Sequence, residues 1–140
     1  MKIKFIESNI FDVYIIKDRL SIDFNNKKEV DKYLKDLFKI LSNNYEIGVE
    51  GFYDVVIYID KYYGIIIHVE KTDYCYYNGL EMNVSIVNTV FLYKLDELVD
   101  NTKIHIIDNN MYLEIICNIS NKDMMYLIEH SDSILYNYSK

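Results

Sequence analysis

The chain has 140 residues, 51% of them hydrophobic, and carries a formal charge of −7 from 22 acidic and 15 basic side chains. A chain of this length buries roughly two-thirds of its unfolded surface, so one domain with an apolar core is expected, without a disulfide framework or a structural metal. The acidic balance and the single arginine, Arg19, argue against direct nucleic-acid binding, which rests on clustered Lys and Arg.

Pro, Trp, Ala and Gln are absent, while Ile, Asn, Lys and Tyr are abundant, the usage of an AT-rich coding sequence. Cys75 and Cys117 follow no framework spacing, which fits a reducing compartment. Glu7, Asn9 and Asp12 interrupt the N-terminal MKIKFIESNIFDVYII, unlike the continuous apolar core of a secretory leader. No stretch approaches the about 20 apolar residues of a membrane span. A cytoplasmic address and no membrane partner are expected.

Met1–Glu7 alternates Met1, Ile3 and Phe5 against Lys2 and Lys4, a first strand, and Ser8-Asn9 turns the chain into a second at Asp12–Lys17. Leu20, Ile22 and Phe24 then share a face, as a separate strand or a continuation of the second. A helix follows over Lys27–Asn43. Asn26 caps it with Glu29 three residues on, and Val30, Tyr33, Leu34, Leu37, Phe38 and Leu41 make one stripe. Asn43-Asn44 supplies its stop.

Gly51–Lys71 (GFYDVVIYIDKYYGIIIHVEK) is the central hairpin. Val55, Ile57 and Ile59 alternate on one arm and Ile65, Ile67 and Val69 on the other, joined at Asp60–Gly64. The opposite face, with Tyr58, Ile66 and His68 among charged neighbours, is mixed and compatible with either solvent or cover. Thr72–Asn83 loses periodicity and reads as the longest loop. Val84–Tyr93 regains strand character, Leu95, Leu98 and Val99 suggest a short helix through Lys94–Asp100, and a second hairpin joins Lys103–Asp108 to Met111–Cys117 at Asn109-Asn110. Ser120 and Asp123 start another helix with Met124, Leu127 and Ile128 inward, and Ser133–Tyr138 returns as an edge strand.

The expected fold is therefore α+β. It is a mostly antiparallel sheet built from two hairpins, with two or three helices packed on one face. Residues 1–140 form a single domain in which strand, helix and hairpin occur twice, over 1–73 and 84–138, the order a duplication would leave.

No constellation of catalytic residues stands out. His68 shares a strand face with Glu70 and lies near Asp54 or Tyr58, the kind of pair that general acid–base catalysis uses; a structural histidine fits the same pattern. His105 sits likewise in the second hairpin, and His130 ends a helix, where a cation suits the dipole. No HxxxH, CxxC or Ca-loop spacing occurs, and the four glycines make neither phosphate-binding pattern, so no metal and no cofactor are expected. Cys117 reads as a small core residue ending a strand. The recognition candidates are Tyr62, Tyr63, Tyr74, Tyr76 and Tyr77, since tyrosine gives rigid contact area at low entropy cost. Asp96, Glu97 and Asp100 form an acidic surface suited to a basic protein.

Across Thr89–Ile134, Phe91 and Tyr93, then Asp96 and Glu97, then Met111-Tyr112-Leu113, then Glu129-His130 stand in an order that resembles the C-terminal domain of MecA-type adaptors. Ser131 stands where that family has Gly, and residues 1–83 have no counterpart. The resemblance implies a non-enzymatic adaptor that binds a Clp-type ATPase and a client.

The functional expectation is a non-catalytic protein-interaction or regulatory domain with a protein partner. One alternative is an acidic inhibitor that occupies a nucleic-acid-binding site on a basic protein. The other is a small enzyme using His68 with a carboxylate. The oligomeric state is open, a homodimer included.

Overall fold

The computed structural model describes residues 1–45, 50–72 and 79–137. Strands β1 (Lys2–Glu7), β2 (Ile10–Ile16), β3 (Gly51–Asp60), β4 (Gly64–Thr72) and β5 (Leu80–Asn88) form one sheet in the order β1-β2-β4-β3-β5. Helix α1 (Lys27–Tyr45) intervenes between β2 and β3. A second sheet has the order β7-β8-β6-β9, from β6 (Leu92–Lys94), β7 (Thr102–Ile107), β8 (Asn110–Ile115) and β9 (Ser133–Leu135), with helix α2 (Asn121–His130) before β9. All neighbours are antiparallel except β3 and β5, which run parallel in an unbroken register from Gly51↔Leu80 to Ile59↔Asn88.

The central hairpin forms as its alternation requires, with Val55 facing Val69, Ile57 facing Ile67 and Asp60 facing Gly64. Gly64 has φ +126°, and a Cβ there would meet the Ile15 carbonyl oxygen at 2.4 Å and the Lys17 nitrogen at 2.6 Å. Only glycine lets β2 run so close to the turn. The α1 stripe is also as patterned: Val30, Leu34, Leu37, Phe38 and Leu41 are buried against Phe11, Val13, Tyr53, Val55, Ile57 and Ile67. Asn26 Oδ1 accepts from Glu29 N at 3.3 Å, but the Glu29 carboxylate reaches back to Asp23 N at 3.2 Å instead of closing on Asn26. The helix runs through Asn43-Asn44 to Tyr45, beyond the expected stop.

The helices do not share one face, and there are two sheets where one was expected. β4 is buried on both sides: Ile65 and Ile67 point to the α1 core, while Ile66 points away from it. Three consecutive buried isoleucines on one strand demand a layer on each face. The second sheet and α2 provide it, packing Phe91, Tyr93, Leu113 and Leu127 on the side that carries Tyr14, Tyr58 and Ile66.

Five local expectations are also corrected. Leu20, Ile22 and Phe24 pack on the α1 core but make no strand, lying after a single 3-10 turn at Lys17–Arg19. Of the expected Thr72–Asn83 loop, Thr72 belongs to β4, residues 80–83 belong to β5 and residues 73–78 lie outside the described residues, and the expected Val84–Tyr93 strand is broken at Thr89–Phe91 between β5 and β6. Residues 95–101 form bends and a turn, not a helix, because so short a run does not repay helix nucleation. The second hairpin turns one residue early, on Asp108 (φ 50°) and Asn109 (φ 65°), which supply the two positive-φ centres of its tight turn. The α2 start is as expected, with Ser120 Oγ accepting from Asp123 N at 3.1 Å.

Candidate functional site

The Asp60–Gly64 turn is organised by a carboxylate. Asp60 is 7% exposed, and its Oδ1 accepts from Tyr62 N at 2.7 Å and Tyr63 N at 2.8 Å. Its Oδ2 accepts from Phe91 N at 2.8 Å, which carries the chain from the first sheet into the second. Three N–H donors compensate the desolvation of this buried charge. The Tyr63 carbonyl accepts from Lys17 N at 2.7 Å, and the Tyr63 ring turns inward to lie 5.3 Å from Phe91. Tyr63 is thus a core residue, 3% exposed, with burial pushing its phenol well up from the usual range. Tyr62 stays at the surface, half-buried, with Lys61 Nζ 5.5 Å from its ring centre.

Between this turn, the end of β2 and α2 lies a cavity of about 250 Å³. Ile16, Tyr62, Tyr63, Ile119, Met124 and Ile128 supply apolar wall, and Lys17, Asp18, Asn118 and Asn121 line the same cavity with polar groups. Met124 and Ile128 are four residues apart on α2, so they share a face, and Met125 also reaches the cavity, itself 42% exposed.

A second constellation centres on Asp12, 2% exposed in the middle of β2. His68 Nδ1 lies 2.6 Å from Asp12 Oδ1, and Tyr136 Oη donates to Asp12 Oδ2 at 2.5 Å. His68 therefore pairs across β2, where Asp12 stands opposite it in register, and not with Asp54, Tyr58 or Glu70 as its hairpin neighbours suggested. Tyr136 also packs against Tyr58 at 4.9 Å and Phe91 at 6.3 Å. Burial, then the hydrogen bond to Asp12, drives the Tyr136 phenol far up; burial, then the Asp12 charge, pushes Tyr14 up to about 12. Both phenols are neutral at ordinary pH. The cavity beside Tyr62 does not reach this group, so the dyad has the composition of an acid–base pair without a substrate chamber from that cavity.

Asp96, Glu97 and Asp100 are all exposed on the bend after β6, with Leu98 between them at 75% exposure. Glu97 accepts a hydrogen bond from Tyr126 on α2, and this bond raises the Tyr126 pKa. Tyr74, Tyr76 and Tyr77 lie outside the described residues; the chain enters that stretch from Thr72, at the end of β4 opposite the Tyr62–Tyr63 turn. His105 Nε2 lies 2.7 Å from Glu114 Oε1, and the His130 ring sits 4.2 Å from that of Tyr126. Cys117 is exposed, a correction that follows from β8 ending at Ile115. Among the described residues no three His, Cys, Asp or Glu side chains gather as a metal site, and no helix is long and apolar enough to cross a membrane.

Sequence reasoning missed Asp12 and Asp60. The available signal was a carboxylate inside an otherwise apolar strand, as in Phe11-Asp12-Val13, and one at the mouth of a turn. Compared with known proteins, the chain matches no family model, and no curated protein or solved structure is significantly similar to it.

Proposed function

We propose that this chain is a non-catalytic protein-binding domain, adaptor-like or regulatory, and that it holds an apolar side chain of a basic protein segment in the cavity between Tyr62 and α2. The cavity carries the reading. Its wall combines tyrosines with the pliable Met124 and Met125, a composition that moulds to apolar anchors, and its polar members offer hydrogen-bonding groups to a bound segment. The net charge of −7 favours a basic partner. The adaptor resemblance of Thr89–Ile134 points to the same class.

The test is binding by wild type and by Met125→Glu combined with Tyr62→Ser, both at partly exposed positions. A protein captured by the wild type should be lost to the variant while the circular dichroism spectrum is unchanged. Equal capture by both would refute the cavity as the docking site.

A second reading, the acidic inhibitor, draws on the exposure of Asp96, Glu97 and Asp100 along one bend. It requires that reversing these three to Lys abolish binding and its salt dependence.

A further inference from the structure

β5 is the outer strand of the first sheet, nine residues long and unbroken in its register with β3, and among the described residues no strand pairs with its other edge. Leu80, Met82 and Val84 are half-buried against the α1 core, so β5 presents no bare apolar face. What stays open is a groove between β5 and α1, marked by two cavities. The larger, of about 360 Å³, has Lys27, Asp31, Met82, Val84 and Ile86 in its lining; the smaller, of about 300 Å³, is lined by Lys35, Lys39, Glu50 and Leu80. Lys27 thus shares a cavity with Ile86 and Lys39 shares one with Leu80, so helix and strand run side by side in opposite directions.

The rim of the groove is charged against the sign of the chain. Among the described residues the one ion pair of α1 joins Lys35 to Asp31 at 2.9 Å, which leaves Lys27 and Lys39, both exposed, without a carboxylate partner. Glu50 is the other acid in the lining. Lys27 and Lys39 stand about 18 Å apart along the helix, and six residues of an extended strand rise about 20 Å. The two lysines therefore match the first and last side chains of a short strand laid along β5 from Ile86 to Leu80.

We propose that this groove binds an extended acidic segment of another protein, which adds a strand to β5 and carries the pattern acid-x-apolar-x-apolar-x-acid. Alternate residues of a strand point to one face, so the acids and the apolar residues all turn to the α1 side. The apolar side chains face the larger cavity beside Val84 and Met82. The carboxylates fall beside Ile86 and Leu80, within reach of Lys27 and Lys39, and the smaller cavity takes the stem of the one at Leu80. The pattern reads the same in both directions, so it holds whether the segment runs parallel or antiparallel to β5. The backbone groups along the open edge of β5 call for a peptide, since a nucleic acid has no ladder to offer them. A second copy of β5 in one continuous two-fold sheet would bring Leu80, Met82, Val84 and Ile86 to this side and no carboxylate to the lysines. The groove lies on the α1 side of the first sheet, away from the Tyr62 cavity, so the inference goes beyond the function proposed above and stands without it.

Fluorescence polarisation with a dye-labelled peptide Glu-Thr-Leu-Thr-Leu-Thr-Glu, amidated at its C-terminus, tests the groove. The wild type should bind it saturably. Lys27→Glu with Lys39→Glu, both at exposed positions, should weaken binding about tenfold or more with an unchanged circular dichroism spectrum. The peptide with Lys in place of both Glu should bind that variant and not the wild type. Of two peptides N-methylated on alternate residues, the one whose N–H groups face β5 should lose binding and the other should keep it. Met125→Glu should leave the peptide affinity unaltered. No saturable binding up to millimolar protein overturns the inference, and so does a charge swap that fails to restore it. Equal loss from both N-methylated peptides, or from neither, removes the added strand. Displacement by oligothymidylate as effective as by unlabelled peptide would reduce the groove to a general anion surface and overturn it likewise.

Discussion

Tyr136 donates its phenolic hydrogen to Asp12 from 124 positions along the chain, and so ties the segment after β9 to the middle of β2. The bond crosses the interface between the two sheets. Together with His68 it gives the buried Asp12 carboxylate two partners at its two oxygens. A buried charge that loses a partner costs more than the bond itself contributed, because the desolvation already spent is no longer offset.

Tyr136→Phe should therefore destabilise the fold by about 1–3 kcal/mol, read as a lower urea midpoint at constant slope. His68→Gln should cost a comparable amount, and the double variant should fall short of the sum, since both bonds serve one carboxylate. Strict additivity would show that the two side chains do not share Asp12. Binding of any partner should survive His68→Gln.

Alkaline pH should unfold the protein through its tyrosines. Tyr14 is raised to about 12, and Tyr63, Tyr93 and Tyr136 are also raised well above the usual phenol range, each chiefly by burial. The folded state thus keeps these phenols protonated above the unfolded value of about 10. Their contribution is complete below about pH 10 and is lost as pH climbs through the folded values. Tyrosinate absorbance should rise in two stages, the exposed rings first and the buried ones together with loss of the circular dichroism signal. Tyr14→Phe should move that second stage to higher pH. A single smooth titration with the fold intact would contradict the burial of these rings.

Tyr93 is fully buried, and among the described residues its hydroxyl has no hydrogen-bond partner. The same desolvation argument has the opposite sign here. Tyr93→Phe removes an unsatisfied group and should leave stability unchanged or raise it, by up to about 1–3 kcal/mol. A clear loss in thermal melting would mean that the hydroxyl is satisfied by a bound water.

What was legible in the sequence was what repeats locally. The α1 stripe and the Val55–Val69 alternation each lie within one short window, and the periods of 3.6 and 2 expose their inward faces. What was not legible depended on which strand lies beside which. His68 meets Asp12 at a separation of 56 residues because β2 inserts beside β4, and nothing within the hairpin specifies that neighbour. The parallel pairing of β5 with β3 is equally non-local. Tyr62 is half-buried in its turn, whereas the inward ring of Tyr63 beside it was not legible, since it follows from the Asp60 contacts to Tyr63 N and Phe91 N. Leu95, Leu98 and Val99 share helical spacing, yet Leu98 is exposed, and the tertiary packing of Leu95 and Val99 decides the segment.

The two-sided burial of β4 gives the most direct test of the layer arrangement. Ile65, Ile66 and Ile67 are each 0% exposed, but Ile65 and Ile67 belong to the α1 core while Ile66 belongs to the core under the second sheet. In a sheet covered on one face only, truncating Ile66 would remove a solvated side chain and change stability by no more than about 0.5 kcal/mol. In a strand covered on both faces, Ile66→Ala opens a cavity as Ile67→Ala does, and each should cost about 2–5 kcal/mol. Asp54→Ala serves as the control, because Asp54 points to the same side of the sheet as Ile66 but is exposed beyond the covered region. The three variants are compared by chemical denaturation at one pH, with the slope checked for constancy. Ile66→Ala matching Ile67→Ala would establish cover on both faces. Ile66→Ala matching Asp54→Ala would remove the second layer from the face of β4 and return the fold to a single helix-backed sheet.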